Sequence, residues 1–137
     1  MNVSRLRQSM SDFGDAVNRL EEVLNLPPEI SVNRDSTLLR FTFVYELSWN
    51  TMKRCLAHVG ITVRNPRETL QHAYQQHWID NERLWLDMMT DRNLVAHTYK
   101  EDMAVEVYER IKGYAPVFRK THTFLQEKFS DTLTDAG

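Results

Sequence analysis

The feature of this chain that most constrains its fold is the spacing of its apolar residues, which recur every three or four positions over long segments. Between residues 3 and 25, charged residues separate apolar ones at this spacing: Leu6, Met10, Phe13, Val17, Leu20 and Leu24. On an α-helix this period places the apolar side chains on one face. The 137 residues include only four glycines and four prolines, so few positions interrupt a helix. The sequence therefore predicts an all-α fold.

Local start and stop signals divide the chain into helices. The pair Pro27–Pro28 ends the first helix, because proline donates no backbone hydrogen bond and restricts the residue before it. A second helix is predicted from a cap at Ser31 or Asn33 to His58 or the next residue, where Gly60 stops it. The connection between these two helices is short, which favours an antiparallel pair.

A stronger start signal follows residue 60. Asn65 can cap a helix, Pro66 suits the first helical position, and Glu68 stands three residues after the cap, where it can reach back to it. A short helix is expected from here to about Trp78. Asp80 then begins another helical segment, which leads into residues 90–102.

The last long helix is predicted to start directly after Thr98. Thr98 and Glu101 have the spacing of a capping box, in which each side chain bonds to the backbone N–H of the other residue. Pro116 lies inside the apolar pattern that follows, so we expect a break or kink at residues 112–115. Residues 131–137 are expected to form a flexible tail. Short turns between these helices predict an up-and-down antiparallel bundle of four to five helices, in a single domain of residues 1–130.

The second helix has two apolar stripes. One stripe consists of Leu38, Phe41, Tyr45, Met52 and Leu56, and the other of Leu39, Phe43 and Leu47. At least about 150° of this helix is therefore apolar and needs cover on two sides. The sequence thus predicts either a central helix or a subunit interface. Trp49, Trp78 and Trp85 are interpreted as core or interface residues rather than platforms for base stacking.

Composition limits the classes of function. The net charge is −2, from 17 basic and 19 acidic residues, so no overall positive field attracts nucleic acid and any RNA contact must be local. The single cysteine, Cys55, excludes a disulfide framework and predicts a buried, inert thiol. Without a signal-peptide run or an apolar stretch of membrane-spanning length, the sequence predicts a cytoplasmic protein. No histidine or cysteine spacing is typical of metal ligands, so neither a metal site nor a cofactor is predicted.

Arg92 and His97 stand close together in the segment 90–102. On an uninterrupted helix their side chains would point about 140° apart, because five residues amount to about 500° of rotation. If the helix breaks before the predicted cap at Thr98, His97 is free to turn toward Arg92 or toward the same motif in a second copy of the chain. The cap therefore makes a joint site possible.

An arginine and a histidine are together sufficient to cleave RNA without a metal. Arginine offers a phosphate a permanent charge and a planar set of donors, and histidine exchanges a proton near neutral pH. His97 would act as general base on a ribose 2′-hydroxyl while Arg92 holds the negatively charged phosphorus centre. The structural alternative is that Arg92 caps helix carbonyls and His97 bonds to backbone, and spacing alone leaves both open.

Glu46 is a further candidate. It lies on the helix expected to be covered on two sides, where an unpaired carboxylate is costly, so we expect it to have a partner. Arg92 is one candidate, and this pairing would orient the arginine toward substrate. Arg40 and Lys53, on the same helix as Glu46, are the alternatives.

The segment Arg92–Tyr99, with the sequence RNLVAHTY, resembles the R-N-x-x-x-H-x-Y signature of the HEPN domains, small helical bundles encoded beside minimal nucleotidyltransferases. Arg40–Trp49 looks like the aromatic second helix of that family, and Asn65–Glu68 resembles the start of its third helix. The resemblance covers roughly residues 5 to 129.

This resemblance implies two related functions. In one, the proteins are non-catalytic substrate-binding subunits that form a complex with a nucleotidyltransferase. In the other, they are HepT-type toxins of toxin–antitoxin pairs: homodimeric RNases whose motifs line a shared cleft and which the partner transferase silences by attaching AMP to the motif tyrosine. Arg92 and His97 would then be catalytic. Asn93 would be a polar support beside the arginine, and Tyr99 the AMP acceptor.

The transferase activity itself is expected on another polypeptide. Minimal transferases carry a Gly-Ser pair followed by a D-x-D pair that binds metal, and neither pattern occurs in these 137 residues. The implied partners are therefore a second copy of the chain, a nucleotidyltransferase antitoxin and an RNA substrate.

Overall fold

The structure of the chain, a computed structural model, describes residues 3–134 and is all-helical over that range. Its helices, in chain order, are α1 (Val3–Leu24), α2 (Ser31–His58), α3 (Pro66–Gln75), α4 (Glu82–His97), α5 (Glu101–Lys128) and α6 (Ser130–Thr134). The predicted all-α bundle is confirmed, with α6 as an additional short helix. None of the helices in this range is long and apolar enough to cross a membrane.

The core lies between α1, α2 and α5. α1 and α2 share the largest contact, α5 packs against both, and α3 and α4 pack on α2 and on each other. The predicted apolar face of α1 is buried, with Leu24 partly buried and the rest almost inaccessible: Leu6, Met10, Phe13, Val17 and Leu20. Burial of each such side chain stabilises the fold by roughly 1.5–3 kcal/mol. Because α2 contacts α1, α3, α4 and α5, it is the central helix.

Residues 3–134 cover only one of the two apolar stripes of α2. The first stripe is wholly buried: Leu38, Phe41, Tyr45, Met52 and Leu56. In the second, Leu39 and Phe43 are 55% and 54% exposed, and Leu47 is partly buried. Trp78 and Trp85 lie in the core and Trp49 packs partly buried against it. The central helix therefore also presents an apolar stripe to solvent.

The end of α2 follows its local sequence. Gly60 has a φ of 89°, in the left-handed region that glycine adopts without steric cost. The N–H groups of Gly60 and Ile61 bond to the carbonyls of Ala57 and Leu56, at 3.0 and 2.8 Å. This pair of bonds is a Schellman motif, which satisfies carbonyls that the helix itself leaves free.

The start of α2 differs from the expectation. Ile30 occupies the N-cap position and makes no side-chain bond, so the predicted cap at Ser31 or Asn33 is wrong. Asn33 instead donates from Nδ2 to the Pro27 carbonyl at 3.0 Å. Its side chain therefore stabilises the preceding turn rather than the helix start.

The start of α3 is as predicted. Asn65 Oδ1 accepts a hydrogen bond from the Glu68 N–H at 2.9 Å, and a proline occupies the first helical position. The Glu68 carboxylate reaches one residue further back than expected, to the N–H of Arg64 at 3.1 Å. α3 ends at Gln75, earlier than expected, and Asn81 caps α4.

α5 continues through Pro116, so a break, one of the two alternatives expected at residues 112–115, is wrong. A proline inside a helix removes one backbone hydrogen bond. Buried side chains on both sides of it hold the helix in place nevertheless: Ile111, Tyr114, Ala115 and Phe118. Tertiary packing therefore outweighs the local cost of the proline.

The chain after α5 differs from the expected flexible tail. Residues 130–134 form α6, which packs against α1. Arg7 donates from Nε to the Leu133 carbonyl at 3.1 Å. The remaining residues of the expected tail, 135–137, lie outside the described residues.

Candidate functional site

The motif residues lie where α4 ends beside α2. α4 finishes at His97, and Thr98 is its C-cap, with its N–H bonded to the Leu94 carbonyl at 2.9 Å. A three-residue connection, 98–100, leads to α5. Both Thr98 and Lys100 have extended backbone conformations. The connection therefore places Tyr99 at the junction of α2, α4 and α5.

The capping box predicted at Thr98 is wrong. Lys100 occupies the N-cap position of α5 without a side-chain bond, and Glu101 is the first helical residue. The Glu101 carboxylate forms an ion pair with Arg34, near the start of α2. A contact between helices has thus replaced the local cap that the spacing favours.

Arg92 is held against α2 by Glu46. Arg92 Nε lies 2.8 Å from Glu46 Oε1, and the two side chains are 31% and 38% exposed. The buried Nε–H group of Arg92 has no hydrogen-bond partner among the described residues. It does not point at Glu46 Oε1, so the contact is an ion pair and not a hydrogen bond. The other Glu46 oxygen accepts a hydrogen bond from Trp49 Nε1 at 3.2 Å. The carboxylate is therefore fixed on both sides and orients the guanidinium.

The structure distinguishes between the candidate partners of Glu46. Arg40 donates to the Arg19 carbonyl at 2.7 Å, and Lys53 Nζ lies 6.0 Å from the centroid of the Trp49 ring. Arg92 is thus the cation that pairs with Glu46, as in the first of the sequence-based alternatives.

His97 is the last residue of α4 and is exposed. The helix ends before Thr98, as expected, but His97 is still within it, so the expected release of this side chain is wrong. Arg92 and His97 share a continuous helix, and their directions differ by about 140°. Arg92 contacts α2 through Glu46, and the helix rotation directs His97 away from that contact.

Tyr99 is anchored to α2 at a different point. Its side chain is 56% exposed, and its hydroxyl donates to Asp35 Oδ1 at 2.5 Å. This bond raises the pKa of Tyr99 above its ordinary value, because the carboxylate stabilises the protonated phenol. Asp35 and Glu46 are eleven residues apart on α2, which corresponds to about 16 Å along its axis. Tyr99 and Arg92 therefore bind α2 at opposite ends of the site.

Sequence reasoning missed Asp35, although one signal could have located it. α2 and α4 run antiparallel, so a residue that follows Arg92 must face α2 at a position before Glu46. Tyr99 lies seven residues beyond Arg92, and Asp35 is the acidic residue that α2 presents in that direction. The pairing of Glu46 with Arg92 had to be known first, and the sequence left it open.

Asp91, next to the motif, was also missed. It is only 5% exposed and accepts two hydrogen bonds from Arg110, both at 2.8 Å, and one from the Tyr114 hydroxyl at 2.6 Å. Burial, together with the bond to Asp91, raises the pKa of Tyr114 and keeps it a neutral donor. A buried carboxylate is costly without partners, so these bonds fix the rotation of α4 against α5. Asp91 thereby turns its neighbour Arg92 toward α2.

The remaining predicted support residue, Asn93, is exposed, and its Oδ1 lies 3.4 Å from Arg92 Nη1, which makes a weak contact. Within residues 3–134, no group of three or more His, Cys, Asp or Glu side chains is arranged to hold a metal ion. The site consists of an oriented arginine, an exposed histidine and a surface tyrosine bonded to a carboxylate. It can bind a phosphate and exchange protons.

Comparison with known proteins confirms the family resemblance inferred from the sequence. Residues 8–127 match the family described as nucleotidyltransferase substrate binding protein like. A curated Haemophilus influenzae protein named "Probable ribonuclease HepT" is 31% identical over an alignment of 80 residues, and the match covers 55% of this chain and 55% of that protein. The chain thus matches about half the length of this relative.

Two solved structures share the fold. A protein from Thermus thermophilus has a TM-score of 0.75 and 27% identity, over 80% of this chain and 94% of its own. A Haemophilus influenzae protein, described as revealing the fold of a substrate binding domain of a nucleotidyltransferase, has a TM-score of 0.65 and 23% identity. That match covers 91% of this chain and 99% of the other. With its family match over residues 8–127 and this shared fold, the chain belongs to the nucleotidyltransferase substrate binding protein like family.

Proposed function

We propose that this chain is a HepT-like toxin of a cytoplasmic toxin–antitoxin pair. It acts as a homodimeric endoribonuclease that needs no metal, and a partner minimal nucleotidyltransferase silences it by attaching AMP to Tyr99. The observation that carries the proposal is the Arg92–Glu46 ion pair, which holds an arginine in a fixed direction on the helix that ends with an exposed His97. The similarity to a protein named as a probable ribonuclease supports the same reading.

The proposed reaction uses only these side chains. His97 takes the proton of a ribose 2′-hydroxyl, and the 2′-oxygen attacks the adjacent phosphorus. The bond from phosphorus to the 5′-oxygen breaks, which leaves a 2′,3′-cyclic phosphate on one fragment. The 5′-oxygen of the other fragment takes a proton from water to become a hydroxyl, and His97 returns its proton to the solvent. Arg92 stabilises the charge that develops on the phosphate oxygens. Glu46 holds the guanidinium in place, so little orientational freedom is lost when RNA binds.

The exposed stripe of α2 supports a homodimer. Leu39 and Phe43 lie one helical turn apart, are more than half exposed, and share the outward side of α2 with Glu46. Burying both side chains against a second copy would bring two Arg92–Glu46 pairs close to the interface. Since Arg92 and His97 diverge within one chain, a neighbouring copy is also the natural source of a histidine that faces a given arginine.

The test is cleavage of a labelled RNA by the purified chain in the presence of a metal chelator. Arg92→Ala and His97→Ala are each expected to lower the rate by at least about 100-fold. Arg83→Ala is the matched control, because Arg83 is an exposed arginine on the same helix, paired with Asp87 at 3.0 Å. Unchanged cleavage by both motif variants, with the control behaving as wild type, would refute the catalytic role.

A non-catalytic subunit that binds a nucleotidyltransferase is the second candidate. The family description and the mild negative charge favour it, because a net charge of −2 does not attract RNA. This alternative predicts a stable complex with the transferase and no RNA cleavage by the purified chain. Size-exclusion chromatography of the mixture, combined with the RNA assay, separates the two candidates.

A further inference from the structure

The hydroxyl of Tyr99 is bonded to a proton acceptor although the side chain lies at the surface. It donates to Asp35 Oδ1 at 2.5 Å, a length typical of a hydroxyl bonded to a carboxylate. The two residues are 64 positions apart, so the bond is a product of the fold and not of local sequence. The tyrosine is still 56% exposed, which leaves it open to approach by a second protein.

A second contact between the same two segments holds this geometry in place. Arg34, which precedes Asp35 on α2, forms an ion pair with Glu101, two residues after Tyr99. The Arg34 side chain is only 13% exposed, so its position is held by packing. Residues 34–35 and 99–101 are therefore joined at two adjacent points, which keeps the carboxylate against the phenol.

The charges around Tyr99 disfavour its ionisation. The hydrogen bond that Tyr99 donates to Asp35 has the largest effect, the charge of Glu101 acts in the same direction, and Arg34 opposes them, with the result that the pKa of Tyr99 is raised. At neutral pH the phenolate is therefore scarce. A neutral hydroxyl is a weak nucleophile, so it must lose its proton as it reacts. Asp35 is the acceptor already bonded to that proton.

We propose that Asp35 is the general base for the attachment of AMP to Tyr99, an inference that rests on the proposed silencing of this chain. The Tyr99 oxygen attacks the α-phosphorus of ATP held by the partner transferase. As the new oxygen–phosphorus bond forms, the bond from that phosphorus to the oxygen bridging to the β-phosphate breaks, and pyrophosphate leaves. The phenol proton passes to Asp35, which then releases it to water. Arg34 provides a positive charge beside the arriving phosphate.

The chain thus supplies part of the site for its own modification. A transferase that uses Asp35 must recognise the folded junction of α2 with residues 99–101, because an unfolded tyrosine peptide lacks the carboxylate. This distinguishes the proposal from simple exposure of Tyr99.

The experiment compares Asp35→Asn with the wild-type chain. The purified full chain, ATP and the partner transferase are mixed, and AMP on the motif peptide is followed by mass spectrometry. Asparagine keeps an oxygen that can accept the Tyr99 bond but cannot take up the proton, so it separates base catalysis from positioning. The expected loss at pH 7 is about 100-fold or more. Asp131→Asn removes the same charge from an exposed position on α6 and should leave the rate unchanged.

The pH dependence distinguishes a base from a structural support. Without Asp35 the reactive form is the phenolate, whose fraction rises about tenfold per pH unit below the phenol pKa. The ratio of the wild-type rate to the Asp35→Asn rate should therefore shrink by about tenfold per pH unit above neutrality. Measuring the ratio at each pH with the same transferase cancels the pH dependence of the partner. A purely structural role predicts a ratio that does not change with pH.

The remaining outcomes are distinct. Equal rates for wild type and Asp35→Asn at every pH would overturn the inference but leave the proposed silencing intact. A faster Asp35→Asn would overturn it as well, because Asp35 would then restrain Tyr99. If the wild-type chain gains no AMP at Tyr99, the proposed silencing fails and the inference fails with it. Tyr99→Phe, which has no acceptor hydroxyl, establishes that the mass gain reports on this residue.

Discussion

Gly14→Ala is expected to destabilise the fold, although alanine is the better helix former. A Cβ added at residue 14 of α1 would lie 2.7 Å from His122 Nε2 and 2.9 Å from its Cε1, closer than real contacts allow. The imidazole cannot easily move aside. It is buried, packs edge-on against Phe13 with ring centroids 5.1 Å apart, and its Nε2 lies 3.0 Å from the Met10 carbonyl. The close approach of α5 to α1 therefore depends on the missing side chain.

Three effects determine the size of the change. Overpacking in a well-packed core costs about 1–3 kcal/mol. Loss of the His122 hydrogen bond adds about 0.5–1.5 kcal/mol. Replacing glycine by alanine inside a helix stabilises by about 1 kcal/mol. The two destabilising effects together exceed the gain in helix propensity, so the free energy of unfolding should fall by about 2 kcal/mol. This lowers the Tm by roughly 8 °C for a chain of this size.

Gly113→Ala is the matched control. Gly113 is exposed on α5, and a Cβ added there meets nothing within 4 Å. The same chemical change should stabilise here by about 1 kcal/mol and raise the Tm by roughly 4 °C. Thermal and urea unfolding, followed by circular dichroism, measure the stability of both variants against the wild-type chain. If Gly14→Ala raised the Tm as well, or if it remained destabilising in a His122→Ala background, the clash with the imidazole would not be the cause.

Three further changes test the site and the fold. Glu46→Gln should lower the rate of RNA cleavage by about 10- to 100-fold, because Arg92 loses its orienting charge; unchanged kinetics would contradict that role. Phe43→Glu should leave the chain monomeric and inactive by light scattering and RNA assay, whereas Val105→Glu, at another exposed apolar position, should change neither. Burial lowers the pKa of His122 below 6.5, so the unfolded chain binds the proton more readily. Stability should therefore fall as the pH drops below about 6.5, by an amount that His122→Ala removes.

Much of the fold could be predicted from the sequence because its determinants are local. The apolar period of α1 identifies its buried face, Gly60 marks the end of α2, and Asn65 caps α3, each through contacts with residues a few positions away. Such signals act within one or two helical turns and do not depend on the rest of the chain.

Two of the failed predictions concern positions where contacts between helices outweigh a local signal. Thr98 and Glu101 have the spacing of a capping box, but the Glu101 carboxylate pairs with Arg34 on another helix. Pro116 should interrupt α5, yet buried residues on both sides keep the helix continuous. In both cases contacts between helices stabilise the observed arrangement by more than the roughly 1–3 kcal/mol that a lost N-cap or an internal proline costs.

By itself the sequence determined the helical class, the buried faces and the motif that contains Arg92, His97 and Tyr99. The tertiary structure decided what these residues contact: Arg92 pairs with Glu46, and Tyr99 bonds to Asp35. The physical reason is that helix periodicity specifies which face of a helix is apolar but not the register in which two helices pack. An ion pair or a hydrogen bond between α2 and the motif exists only in one register, so its partners become visible only once the helices are assembled.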